Sequence, residues 1–176
     1  EIHSLFPSSI YALTKVFQAE LASFYSKILK LNVCLVRTSN LIGPWMPEKL
    51  FIGNFFKQAL SVDKNKIITI GSDGAYRDYL DIRDAVSAYY GILKQGVSGE
   101  VYNLGSGSAT QIKTIIDVAV NKIGIKRDQI KSIVSDSVKQ VDYQLLDISK
   151  INKLLGFKPK HTIEDSIDFV VTEMQK

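Results

Sequence analysis

Cysteine is almost absent from this chain. Cys34 stands alone among 176 residues, so no internal disulfide can form. It lies in the apolar run 32–37 and is expected to be a small buried core residue, not a nucleophile. Arginine is scarce as well. Arg37, Arg77, Arg83 and Arg127 are all there are, and the net charge of +4 comes from lysines scattered along the chain. A nucleic-acid footprint needs its cations gathered on one face, so no nucleic-acid partner is expected and the lysines read as solvated helix surface. No apolar run approaches the eighteen or so residues that would cross a bilayer. The stretch Glu1–Phe6 lacks the basic-then-apolar order of a signal peptide. A cytoplasmic protein with no membrane partner and no metal is expected.

What is present is an ordinary globular composition, 45% hydrophobic and 23% charged. The length fits one domain or one and a fraction. Ser8 or Ser9 can cap a helix over 10–30, whose apolar positions Leu13, Val16, Phe17, Leu21, Phe24 and Ile28 recur at three and four, giving one face to bury. Residues 32–38 form a near-continuous apolar strand, as in a parallel sheet covered on both faces. Gly43-Pro44 marks a turn, 51–60 a helix, 66–70 a short strand, and 71–74 another turn. Asp81 or Asp84 can cap a helix through about Leu93, 100–104 is a strand, and helices follow at 110–123, near 147–156 and at 163–174. Strands alternating with helices predict an α/β fold.

Three stretches carry chemistry. Tyr11 and Lys15 are one helical turn apart, so their side chains share a face. A phenol near its usual pKa of about 10 is a poor base at neutral pH. An ammonium group alongside favours the phenolate and suits it to take a proton from a hydroxyl. The spacing alone is weak: eight tyrosines and eighteen lysines give about 0.8 such pairs by chance, and Tyr90/Lys94 is a second. Next, the strand 32–38 ends Arg37-Thr38-Ser39-Asn40-Leu41-Ile42-Gly43-Pro44. Ligands bind just past the carboxyl ends of such strands, although Asn40 could equally stabilise a turn. Finally, Gly71 to Asp84 holds Arg77, whose guanidinium suits a bidentate grip on phosphate or an ion pair with Asp78 or Asp73.

Taken together these stretches resemble the extended short-chain dehydrogenase/reductase family, the nucleotide-sugar epimerases and dehydratases. Tyr11-Ala-Leu-Thr-Lys15, preceded by Pro7-Ser8-Ser9 and followed by the strand 32–38, has the family's order; Tyr90/Lys94 has no such strand after it. Arg37-x-x-Asn40-x-x-Gly43-Pro44 is similar to its Arg-x-x-Asn-x-x-Gly-Pro signature. Gly71–Asp84 is similar to its Gly-x-Gly-x-x-x-Arg-Asp segment, and Tyr102-Asn103-Leu104-Gly105-Ser106-Gly107 to a later strand end. Asp147-Ile148-Ser149-Lys150 with Leu155-Gly156-Phe157-Lys158-Pro159 resembles its tail.

The resemblance implies a Rossmann-like parallel-sheet tail over 1–45 and a small α/β substrate-binding domain over 46–176, with the strand near 100–105 returning to the first sheet. It implies Tyr11 as acid/base, Lys15 as its electrostatic partner, and both as contacts of an NAD or NADP ribose. The Leu41 backbone would lie by the nicotinamide, Asn40 would touch the substrate, and Arg77 would anchor the diphosphate of a nucleotide sugar. Arg37 is expected to make structural hydrogen bonds and Asp84 to cap a helix. A homodimer through the helix at 10–30 is implied too, and the branch that makes 6-deoxy sugars on a GDP or dTDP carrier is slightly the nearer.

Two departures stand out. No glycine-rich turn precedes Tyr11, and Ser4, Ser8 and Ser9 are too close to it to be the family's catalytic Ser/Thr. Ser137 stands where a second phosphate-binding arginine is usual, with Lys139 the nearest cation. The expectation is therefore the C-terminal portion of an NAD(P)-dependent enzyme acting at sugar C4, lacking most of the cofactor site. The alternative is a nucleotide-sugar-binding or dimerisation module without turnover.

Overall fold

A computed structural model describes residues 1, 5–61, 67–133 and 143–176. Ser9 caps α1 (Ile10–Lys27), its hydroxyl accepting from the Ala12 amide at 3.1 Å. Then come β1 (Leu35–Thr38), β2 (Asn40–Ile42), α2 (Phe51–Ala59), β3 (Ile68–Ile70), β4 (Tyr76–Asp81) and α3 (Ile82–Gln95). The second half holds β5 (Val101–Leu104), β6 (Ala109–Gln111), α4 (Ile112–Ile123), β7 (Ile130–Ser132), β8 (Tyr143–Gln144), α5 (Ser149–Leu155) and α6 (Ile163–Met174). Thr162 opens α6 through a reciprocal pair of bonds with Asp165, and Gly156 closes α5 at φ +62°, a conformation that favours glycine.

β1 pairs with β5 in parallel, β3 with β7 in parallel, and β4 is central to the rest. Along β4, residues 79–81 run parallel to β2, while residues 76–78 meet β6 antiparallel and β8 parallel. The fold is α/β, as the alternation of elements implies. Two apolar cores flank β4. One gathers Phe55, Phe56, Ile115, Ile116, Ile167 and Val170 from α2, α4 and α6. The other joins Leu80 to Ala88 and Ile92 of α3, Leu104 of β5 and Ile151 of α5. Each fully buried aromatic or branched side chain contributes on the order of 1.5–3 kcal/mol. Tyr79 belongs to the first core and Leu80 to the second, because successive strand residues face opposite ways. That alternation also decides where Arg77 and Asp78 point.

Several expectations are corrected. β4 was not foreseen: Arg77, Asp78 and Asp81 interrupt its apolar alternation, yet Asp78 and Asp81 are buried at 0% and 2% exposure. Both are satisfied by hydrogen bonds, which makes their burial tolerable. β2, β6, β7 and β8 are also additional, each of two or three residues and too short to show a period. The apolar run 32–38 yields a strand only over 35–38, and all four of its residues are half-buried, not covered on both faces. Among the described residues β5 is its one strand neighbour.

The helix at 10–30 ends at Lys27, and Lys30 turns the chain with a left-handed φ of 56°. None of its residues is buried; Phe17 is 64% exposed, as is Ile28 just past the helix end. Its periodic apolar face exists, but nothing in the described residues covers it. Asp81, not Asp84, caps α3. Cys34 lies outside any strand and is half-buried, its thiol donating to the Val97 carbonyl at 3.2 Å. Burial, helped by the Glu100 charge, pushes that thiol above its ordinary range. Lys66, Ser137 and Lys139 lie outside the described residues.

Candidate functional site

The chain's chemical residues collect in two places, one beside β2 and β4 and one between α1 and β1. The first is a groove of about 420 Å³ beside β2 and β4, lined by Asn40, Lys49, Asn54, Ser72, Arg77 and Tyr79 among others. Asn40 stands opposite Tyr79 in the β2–β4 register, and Arg77 is two residues from Tyr79, so the three side chains share one face. Arg77 Nη1 donates to the Tyr76 carbonyl at 2.8 Å. The ion pairs considered for it do not form. Asp73 pairs with Arg127 at 2.9 Å, and the Asp78 carboxylate is filled by the Ser106 amide at 2.7 Å, the Ser106 hydroxyl at 2.8 Å and the Leu146 amide at 3.3 Å. Among the described residues Arg77 has no carboxylate partner. Its remaining N–H groups are available to an anion in the groove.

Tyr79 lines the same groove and is 7% exposed. Burial pushes its phenol up to about 12, against the opposing pull of the Arg77 charge. It is therefore a neutral hydrogen-bonding wall, not an acid/base at physiological pH. Asn40 is not a turn amide. Its Nδ2 donates to the Asp78 carbonyl at 3.2 Å and to Gln144 Oε1 at 3.3 Å, so it ties β2 to β4 and β8.

The second place is a cavity of about 760 Å³ between α1 and β1, lined by Tyr11, Lys15, Val16, Thr38 and Tyr89 among others. Tyr11 and Lys15 do share a face: the ammonium lies over the phenol ring, 5.4 Å from its centroid, and donates to Gln18 Oε1 at 3.1 Å. Tyr11 is 72% exposed. Thr38 and Tyr89 join their hydroxyls in a hydrogen bond on the opposite wall. Tyr90, the other tyrosine of the chance pair, is 58% exposed with Lys94 over its ring at 4.5 Å, and it lines neither cavity.

Leu41 lines neither cavity and packs its side chain against the second core. Arg37 Nη1 donates to the Glu1 carbonyl at 3.0 Å, a structural bond. Asp84, buried at 3% exposure, accepts from the Lys160 and His161 amides at 2.9 and 3.0 Å and pairs with His161 Nδ1 at 2.9 Å; it ties α3 to the segment before α6. Gly105 is a close-approach residue, since a Cβ there would meet Asp78 Oδ2 at 2.3 Å. Sequence reasoning missed Tyr79, Thr38, Tyr89 and Gln144. Alternation along β4 could have found Tyr79 from Arg77; the other three come into place only through tertiary pairing.

Known proteins resemble the chain over nearly its whole length. The family model described as GDP-mannose 4,6 dehydratase matches residues 1–170. The dTDP-glucose 4,6-dehydratase 1 of Escherichia coli K12 is 31% identical over 92% of this chain and 46% of its own length. A low-salt glycan biosynthesis protein of Haloferax volcanii is 30% identical over 95% of this chain and 53% of its own. The structure of UDP-glucuronic acid 4-epimerase from Bacillus cereus, in complex with UDP-glucuronic acid and NAD, superposes with a TM-score of 0.84 at 25% identity, covering 97% of this chain and 54% of that one. The chain thus spans about half the length of the curated relatives it matches. It belongs to the GDP-mannose 4,6 dehydratase family, within the extended short-chain dehydrogenase/reductases.

Proposed function

We propose that this chain is the substrate-binding and proton-transfer portion of an NAD(P)-dependent nucleotide-sugar epimerase, dehydratase or reductase acting at sugar C4. The observation that carries the reading is Arg77: an arginine with no carboxylate partner among the described residues, in one groove with Asn40. A cation held that way is suited to the diphosphate of a nucleotide sugar. The B. cereus epimerase, a relative in fold, is described with UDP-glucuronic acid and NAD, and the E. coli relative acts on dTDP-glucose.

The residues of the α1–β1 cavity fit one end of a nicotinamide cofactor. Lys15 and Tyr11 supply a cation and a hydroxyl for its ribose; the Leu41 backbone is the further contact that the family resemblance assigns to the nicotinamide. They do not offer a glycine-rich cradle for its pyrophosphate. The cofactor, when bound, supplies a hydride acceptor or donor. Tyr11 Oη takes the proton from the sugar hydroxyl, and the Lys15 ammonium favours the phenolate that does so. Arg77 and Asn40 hold the nucleotide sugar so that its hydroxyl reaches Tyr11. Residues 1–45 would belong to the cofactor domain and 46–176 to the substrate domain, with β5 crossing back to β1.

A second reading is a nucleotide-sugar-binding or dimerisation module without turnover. Its support is the exposure of Tyr11 and of the apolar face of α1, which a second copy of the chain could cover. Thermal melts separate the readings. Binding without a cofactor site raises the melting temperature with dTDP-glucose or UDP-glucose and not with NAD or NADP alone. A rise with the dinucleotide favours the enzyme portion. No rise with any nucleotide sugar would contradict the enzyme portion and the sugar-binding module alike, and leave dimerisation through α1 as the reading.

A further inference from the structure

Asn40 has two N–H donors, and both are already spent. One points to the Asp78 backbone carbonyl at 3.2 Å and the other to Gln144 Oε1 at 3.3 Å. Among the described residues nothing donates to Asn40 Oδ1, and Asn40 lines the groove. Gln144 is placed for this by its strand. β8 runs parallel to β4 with Gln144 opposite Arg77, so the two side chains lie on the groove's face of the sheet. Gln144 Nε2 has no partner among the described residues either. The two amides therefore form a polarised pair beside the Arg77 guanidinium: a carbonyl oxygen from Asn40 that can only accept, and an NH2 from Gln144 that can only donate.

We propose that Gln144 is a positioning and specificity-determining residue that, together with the Asp78 carbonyl, holds the Asn40 carboxamide as an acceptor, so that Asn40 recognises a hydroxyl of the sugar and leaves the diphosphate to Arg77. A phosphate oxygen cannot donate to Asn40 Oδ1 and would be repelled by it. A sugar hydroxyl can donate there and accept from Gln144 Nε2 at the same time. This deepens the proposed function and rests on it. Asp78 supports the arrangement twice, by offering its carbonyl to Asn40 and by holding the Leu146 amide two residues beyond Gln144.

The test is calorimetric titration of the chain with dTDP and with dTDP-glucose, and with UDP and UDP-glucose. The ratio of the two affinities in each pair isolates the sugar's share. Gln144→Leu removes one of the two acceptors that hold the Asn40 amide, and with it the Gln144 Nε2 donor. It is expected to lower that ratio about 5- to 10-fold, the loss of roughly one hydrogen bond, while the bare diphosphate binds as before. Gln144→Glu keeps the accepting oxygen. It should restore the share of the ratio that rests on the held Asn40 amide and not the share from the lost Nε2 donor, even though its charge weakens both ligands of a pair together. A Gln144→Leu change that weakens dTDP and dTDP-glucose alike, or that leaves both unchanged, overturns the inference alone. Absence of binding by any of the four ligands to the unaltered chain overturns the proposed function beneath it as well.

Discussion

The Arg77 guanidinium and the Asp78 carboxylate, adjacent in sequence, serve opposite faces of β4 and do not pair. Asp78 turns inward, where Ser106 and Leu146 satisfy it and Gly105 lies against it. Arg77 turns to the groove with no described carboxylate paired to it; Glu48, which lines the same groove, pairs with Lys57 instead. Pairing the two would have given an internally neutral surface. Separating them gives one residue that holds the fold and one that can hold a ligand.

Gly105 tests the inward half of that division. Gly105→Ala places a Cβ 2.3 Å from Asp78 Oδ2, an oxygen that the Leu146 amide already engages. Overpacking of this kind costs about 1–3 kcal/mol, and the denaturant midpoint should fall accordingly. A midpoint equal to that of the unaltered chain would show that Asp78 is free to move aside.

Asp81 predicts how stability responds to acid. Burial would raise its pKa, but hydrogen bonds from Arg83 and Ser166 and the Arg83 charge outweigh that and hold it below its ordinary value of 3.8. A depressed carboxylate contributes stability that is fully present above its unfolded value and is lost as the pH falls through the folded one. Asp165, Asp147 and Asp117 are lowered in the same sense. The melting temperature should therefore hold between pH 7 and about 5 and drop below about 4. Ser166→Ala should shrink the part of that drop which Asp81 supplies; identical pH profiles for the two proteins would remove Asp81 from the account.

Much of this architecture is legible in the chain itself. Ser9, Thr162 and Gly156 mark their helix ends by residue type, and α2, α4 and α6 show their apolar period openly. β4 is hidden for a physical reason: its buried positions carry Asp78 and Asp81, whose partners include Ser106 and Ser166, 28 and 85 residues distant in sequence. The burial of α1 is misjudged for the converse reason, since periodicity reports an apolar face without reporting what covers it. In the site, Asn40 and Arg77 are visible from their motifs, and the structure puts them in one groove. Gln144 is invisible, because its two-residue strand exists only through pairing with β4.

The apolar face of α1 leads to an expectation about assembly. Leu13, Phe17, Leu21 and Phe24 are all exposed along it. If a second copy covers that face, Phe17→Glu should turn a dimer into a monomer by light scattering, with the helical content of the chain retained. A monomeric unaltered chain at micromolar concentration would remove the homodimer from the proposal.

Tyr11 carries the catalytic part of the proposal. Tyr11→Phe removes the acid/base hydroxyl and leaves the ring under Lys15. Turnover measured on the cofactor-loaded enzyme should fall by about two decades or more, with nucleotide-sugar affinity near that of the unaltered protein. A rate within a few-fold of normal would move the proton transfer to another group.

The most direct measurement is calorimetric titration of the chain and of Arg77→Ala with dTDP-glucose, GDP-mannose and UDP-glucose. The account predicts saturable binding of at least one of them. It predicts a loss of about 2–3 kcal/mol in Arg77→Ala, the worth of a charge-assisted contact to phosphate. Equal affinity in the two proteins, or no binding to either, would contradict the assignment of the Asn40–Arg77 groove to a nucleotide sugar.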